Sequence, residues 1–146
     1  MVHVIPMAEE HISSIAALER ACFSAPWSAD ALREELDNPL AHFRVAEAED
    51  GSVLGYVGMH VLTDEGFITN VGVFPAARRQ GVARALLEDL AAYGAAHSLY
   101  RITLEVRVGN AAAMALYASL GYVRDGVRPG FYTHPTEDAA IYSLYF

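Results

Sequence analysis

Residues 104–122 read LEVRVGNAAAMALYASLGY, a stretch that sets a carboxylate, Glu105, ahead of a phenol, Tyr117. A positioned carboxylate can take a proton from an attacking group, and a positioned phenol can return one to a leaving group. The spacing also admits a plainer reading. YRITLEVRV (100–108) alternates Ile102, Leu104, Val106 and Val108 with Arg101, Thr103, Glu105 and Arg107, so Glu105 falls on the polar face of a strand. Tyr117 then falls on the helix that follows, where an aromatic ring can simply pack at the edge. Asn110 suits the N-cap of that helix and Gly121 its close.

A second segment with chemical content is VGVFPAARRQGVARALL (71–87): an apolar strand, a proline stop, a basic loop, one glycine and a helix start. The first amides of a helix have no intrahelical acceptor, and the macrodipole favours an anion there. Gly81 lets backbone approach such an anion closely, and Arg78, Arg79 and Arg84 add positive charge. The pattern fits a pyrophosphate; it equally fits a basic loop capping a core helix. GxxxxGK[ST] is absent, which excludes a Walker-type loop, and no GxGxxG follows a first strand.

The elements that must position these groups follow from periodicity and breakers. VHVI (2–5) is a short strand ended by Pro6, and Ile12, Ile15, Ala16, Leu18 and Cys22 recur at helical spacing within 8–22. Ser28 caps a second helix to Leu36, with Asp30 in its first turn. HFRVAEA and VLGYVGMHV flank the turn EDGS, FITNVGVF (67–74) stops at Pro75, and 81–96 is an alanine-rich helix. Strands near 122–127 and 138–145 close the chain, joined by RPGFYTHPTED as a loop. The order β-α-α-β-β-β-α-β-α-β-β predicts an α/β fold, a mixed sheet flanked by helices.

The 146 residues suit a single domain, 1–146, with 53% hydrophobic and 19% charged residues. No apolar run reaches the roughly 20 residues of a membrane helix, and the N-terminus lacks a signal peptide's pattern. One cysteine leaves no internal disulfide to form, which points to a reducing cytoplasm. A net charge of −8 disfavours a surface that tracks nucleic acid and suits a cationic partner. All ten basic residues are arginines.

R-x-x-G-x-A at 78–83, directly after an apolar strand, resembles the coenzyme A pyrophosphate loop of the GNAT N-acetyltransferases. PWS (26–28), ITNVGV (68–73), RRQGVARALL (78–87), LEVRVGNAAAMALYASLGY and EDA (137–139) resemble, in order and over nearly the whole chain, the bacterial RimI-type group. Those enzymes acetylate the N-terminal alanine of a small-subunit ribosomal protein. The resemblance implies a GNAT-like fold, with a central, mostly antiparallel sheet flanked by about four helices. It implies acetyl-CoA as cosubstrate with no metal, a protein or peptide N-terminus as partner, and neither nucleic acid nor membrane.

By the same resemblance, Val71, Gly72 and Val73 pair with the pantetheine arm, and the Val73 amide donates to the thioester oxygen. Arg78, Arg79, Gln80, Gly81, Val82, Ala83 and Arg84 hold the pyrophosphate, and Asn110 touches the cofactor. Glu105 is the proton acceptor and Tyr117 the acid that returns a proton to coenzyme A. Transfer is direct, in a ternary complex. A lysine side chain or small amine is the alternative acceptor, and a coenzyme A-binding sensor without catalysis is the rival class.

Six histidines are scattered without an HxxxH or HExxH pair, so no metal site is expected. Cys22 reads as a small buried hydrophobe, Trp27 as a packing residue with acceptor-loop shaping as its alternative, and Glu34 and Glu35 as solvated, with the border of an acceptor groove as theirs. RPGFY (128–132) departs from the RimI-type pattern: Pro129, Gly130 and Phe131 stand where a basic residue, asparagine and tyrosine are usual. Acceptor identity is therefore where the resemblance is weakest.

Overall fold

The computed structural model describes residues 2–146. Strand β1 (His3–Pro6) and a 3-10 turn lead into helices α1 (Ile12–Cys22) and α2 (Ala29–Glu35). Strands β2 (Ala41–Glu47), β3 (Val53–Leu62) and β4 (Glu65–Val73) follow as an antiparallel meander. Helix α3 (Val82–Ala96), strand β5 (Arg101–Arg107), helix α4 (Ala111–Ser119) and the hairpin β6 (Val123–Tyr132) and β7 (Glu137–Tyr145) complete the chain. The strands form one sheet in the order β1-β2-β3-β4-β5-β7-β6, with β4 and β5 its parallel pair. No helix among the described residues is long and apolar enough to cross a membrane.

Caps act where the sequence placed them. Ser28 Oγ accepts from the Ala31 amide (3.0 Å), and Asn110 Oδ1 from that of Ala113 (3.1 Å). Strand alternation then sorts the core onto the two faces of the sheet. Phe43, Val45 and Tyr56 pack with Ile12, Ile15, Leu18 and Leu32 beneath α1 and α2. Val57, Met59, Ile102, Leu104 and Val106 pack with Leu86, Leu87 and Leu90 of α3 and Tyr117 of α4.

Two features shape the site. Register shifts between Gly58 and Met59, which face Asn70 and Ile68, leaving Thr69 as an extra residue in β4. Pairing of β4 with β5 covers only Glu65–Arg101, Gly66–Ile102 and Phe67–Thr103. Beyond that point the strands part, and the sheet opens between Ile68–Val73 and Leu104–Arg107.

The β3–β4 meander is tight beside this opening. A Cβ on Gly55 would lie 2.6 Å from the Gly72 carbonyl oxygen, a backbone atom held by the sheet. Gly55→Ala is expected to cost about 1–3 kcal/mol, read as a lower denaturant midpoint at unchanged slope.

The structure changes one boundary. RPGFY is not a loop: β6 extends through Tyr132, pairing Arg128 with Ala139 and Tyr132 with Glu137, with a register break between them. Gly130 takes φ +61° inside that break, and its amide donates to Asp138 Oδ1 (2.8 Å). A positive φ is costly for residues with a Cβ, so glycine here permits the bulge that keeps the hairpin paired.

Candidate active site

The parted strands frame a cleft of about 640 Å³. Ile68 to Val71 form one wall and Leu104 to Arg107 the other, while Cys22, Phe23 and Trp27 close one side and Phe131 to Pro135 another. Glu105, Tyr117, Asn110 and Val71 all line it. The acid and the phenol that the sequence separated are thus brought to one cavity by β5 and α4.

Glu105 keeps its place in the alternation, but its face of β5 is not bulk solvent. Its side chain is 27% exposed, and Oε2 is buried without a hydrogen-bond partner. The nearest cation is Arg128, whose Nε lies 3.6 Å from Oε2 on a side chain 58% exposed. A carboxylate oxygen off water with no fixed donor is available to an incoming N–H group. Neighbouring Arg107 serves the wall instead: it donates to the carbonyls of Thr133 and Pro135 and to Glu137, and stacks 4.4 Å over the Tyr132 ring.

Tyr117 is 7% exposed and packs against Tyr122 and Tyr142 at centroid distances of 5.9 and 6.1 Å. Burial, and secondarily Tyr132, push its phenol up to about 12. It stays protonated, as a hydrogen donor, through any working pH. A folded pKa above the unfolded value of about 10 stabilises the fold below pH 10, and that stability is lost as pH rises through 12. Tyr117→Phe should therefore remove about 1 kcal/mol of the stability lost between pH 9 and pH 11, read from urea midpoints.

The loop before α3 has the conformation an anion site needs. Arg79 and Gly81 both have positive φ, +63° and +77°, and the first helical bond runs from the Ala85 amide to the Gly81 carbonyl. The amides of Val82, Ala83 and Arg84 therefore have no partner within the helix. Two of the three arginines turn elsewhere. Arg78 reaches the Val73 carbonyl and Cys22 Sγ, each at 3.4 Å, and Arg84 donates to Ser119 Oγ at 2.8 Å, bracing α3 on α4. Gly72, Val73 and residues 78–84 lie outside the cleft lining.

Antiparallel alternation turns the Gly72 backbone to β3, since the Phe74 amide two residues on bonds the Leu54 carbonyl. Val71 and Val73 face the opening left by β5. The Val73 carbonyl is taken by Cys22 and Arg78. The rest of this strand edge, the uncapped α3 amides and the Glu105 oxygen without a hydrogen bond fit a long, anionic, strand-like ligand such as coenzyme A.

Several residues escaped the sequence reading. Glu19, on the inner side of α1, is 1% exposed, accepting from the Tyr56 hydroxyl (2.7 Å) and the Trp27 amide (2.9 Å). Trp27 thus packs on Phe43, as expected, and also lines the cleft. Cys22 is only half-buried and lines the cleft, contrary to its reading as a core residue. Glu35 is not simply solvated: it bonds His60 Nε2 at 2.9 Å. Glu19 lies four residues after Ile15 and three after Ala16, on the apolar stripe of α1, so its spacing was the signal that could have marked it as buried; its partners, from β3 and the α1–α2 connection, had no local signal.

Residues 12–122 match the model of the acetyltransferase (GNAT) family. The chain belongs to that family. It is similar to the ribosomal protein bS18-alanine N-acetyltransferase of Escherichia coli K12, 33% identical over 129 residues, 87% of this chain and 86% of that protein. It is similar also to the N-alpha-acetyltransferase RimI of Mycobacterium tuberculosis, 36% identical over 118 residues, 78% of this chain and 72% of that protein. The crystal structure of the Escherichia coli ribosomal-protein-S18-alanine N-acetyltransferase superposes with a TM-score of 0.90 at 28% identity, covering 99% of this chain and 94% of that one.

Proposed function

We infer that this acyltransferase moves the acetyl group of acetyl-CoA onto the N-terminal α-amine of a protein, with an alanine-starting ribosomal-protein terminus as the acceptor class. The relatives named above supply the acceptor class. One observation carries the chemistry: Glu105 and Tyr117, from different elements, line one cleft, and Glu105 presents a buried carboxylate oxygen with no donor of its own.

Acetyl-CoA brings the acyl carbon as a thioester. The chain supplies the rest. Arg79, Gln80 and Gly81, with the first α3 amides, hold the pyrophosphate, and Val71 and Val73 offer a strand edge to the pantetheine arm. The Val73 N–H would donate to the thioester oxygen, where a fixed donor stabilises developing negative charge. Glu105 takes the proton of the attacking amine, directly or through a water, and Tyr117 donates toward the departing sulfur. An α-amine, with a reference pKa near 7.7–8.0 against about 10.4 for lysine, imposes the smaller proton-transfer penalty on a carboxylate.

A screen of acceptor peptides with mass detection of the acetylated end tests this reading. Alanine- and serine-starting peptides are expected to gain one acetyl group at the α-amine. Turnover of a polyamine with none of any such peptide would overturn the acceptor assignment.

A further inference from the structure

Asn70 stands at the edge of the Thr69 bulge, where β4 leaves β5, and it is 8% exposed. Its side chain lines the cleft. The carbonyl oxygen, Oδ1, is buried and has no hydrogen-bond partner. Leaving such an acceptor dry costs about 1–3 kcal/mol, and natural folds seldom keep one without a use.

Behind Asn70 lies Tyr56, fully buried, whose hydroxyl donates to Glu19 Oε2 at 2.7 Å. Burial and Glu19 push the Tyr56 phenol up, and the neighbouring Asn70 side chain acts against them. Glu19 in turn is held by the Trp27 amide at 2.9 Å. Asn70 thus lies between the Tyr56–Glu19 pair and the cleft, with its own oxygen left without a partner.

Across the cleft, Glu105 Oε2 is likewise buried and unpartnered. Two residues of one cavity wall, one from each parted strand, therefore each hold a buried oxygen without a hydrogen bond. Both are acceptors, and neither can bond the other. The group that satisfies them both must bring several N–H donors and no lone pair to spare, which describes a primary ammonium. Arg128, whose Nε stands 3.6 Å from the Glu105 oxygen on an exposed side chain, is free to give way to it.

We propose that Asn70 Oδ1 and Glu105 Oε2 together form the seat of the acceptor's amino group. Asn70 holds one N–H while Glu105 receives the proton that leaves, so the nitrogen lone pair is turned toward the acyl carbon. Tyr56 and Glu19 are positioning residues that fix the Asn70 amide. This assignment rests on the amine-acetyltransferase reading above and adds to it the residue that orients the nucleophile.

The test separates the amine from the rest of the acceptor. Titration calorimetry on the coenzyme A-bound protein compares an alanine-starting peptide with the same peptide carrying a propionyl group in place of alanyl, which lacks the amine. In Asn70→Leu the amine peptide is expected to bind about tenfold or more weakly, and the propionyl peptide within twofold of wild type. Equal weakening of both peptides, or of neither, overturns the proposal. A purely structural role for Asn70 predicts equal weakening. If the leucine variant does not fold, Asn70→Ala, which adds no atoms to the wall, is read by the same ratio. Turnover by wild type reports separately on the proposed function. Amine-peptide acetylation with an unchanged ratio in the variant would sink the Asn70 seat alone, whereas failure of wild type to bind the amine peptide would sink both.

Discussion

Glu105→Gln is expected to lower kcat at pH 7 by about 10²–10⁴-fold, with acetyl-CoA affinity within twofold of wild type. Glutamine keeps the size of the side chain but cannot accept the amine's proton. An α-amine with a pKa near 7.7–8.0 is only about a tenth neutral at pH 7, so the variant depends on that fraction. Its deficit should therefore narrow as pH rises from 7 to 9, when the amine loses its proton to water instead. Stability should change by less than about 1 kcal/mol, or rise, because a half-buried carboxylate without a donor is poorly solvated. Kinetics and thermal melts on one preparation read both effects. A kcat within twofold of wild type at pH 7 would remove Glu105 as the base, and negligible thiol release from both proteins would favour a coenzyme A-binding sensor.

Tyr117→Phe should lower kcat by about 10²-fold and leave cofactor affinity nearly unchanged. Phenylalanine retains the packing on Tyr122 and Tyr142, so the loss isolates the hydroxyl. With its pKa raised to about 12, the phenol is a weaker acid than in water. Transfer of its proton to a thiolate with the reference thiol pKa of about 8.5 is uphill by about 5 kcal/mol. On the proposed mechanism Tyr117 therefore acts mainly as a hydrogen-bond donor to the departing sulfur and not as a full proton donor. Between pH 6 and 10 the wild-type profile should show no limb that vanishes in Tyr117→Phe. Unchanged turnover in the variant would take the hydroxyl out of the reaction.

The element order, the caps at Ser28 and Asn110, and the alternation of β5 were legible because each depends on neighbours in sequence. The conformation of the loop before α3 was legible for the same reason: Gly81 sits at a helix start and takes the positive φ that its type allows. The end of β6 was not legible. Pro129 and Gly130 are turn formers locally, and only pairing with β7 and the Asp138 contact hold them in a bulged strand.

Local chemistry determined that Glu105 lies opposite the apolar side of its strand and that Tyr117 lies on the next helix. It could not determine whether that side meets water. The tertiary structure decided this, because the β4 bulge and the short β4–β5 pairing open the sheet beside Glu105, while α1 covers β3 and β4. The Glu19–Tyr56 bond has the same origin. Its members come from a helix and a strand, and a buried polar group is stable only where partners from distant segments meet it. Sequence fixes which face a side chain takes; the dielectric and the partners it finds there belong to the fold.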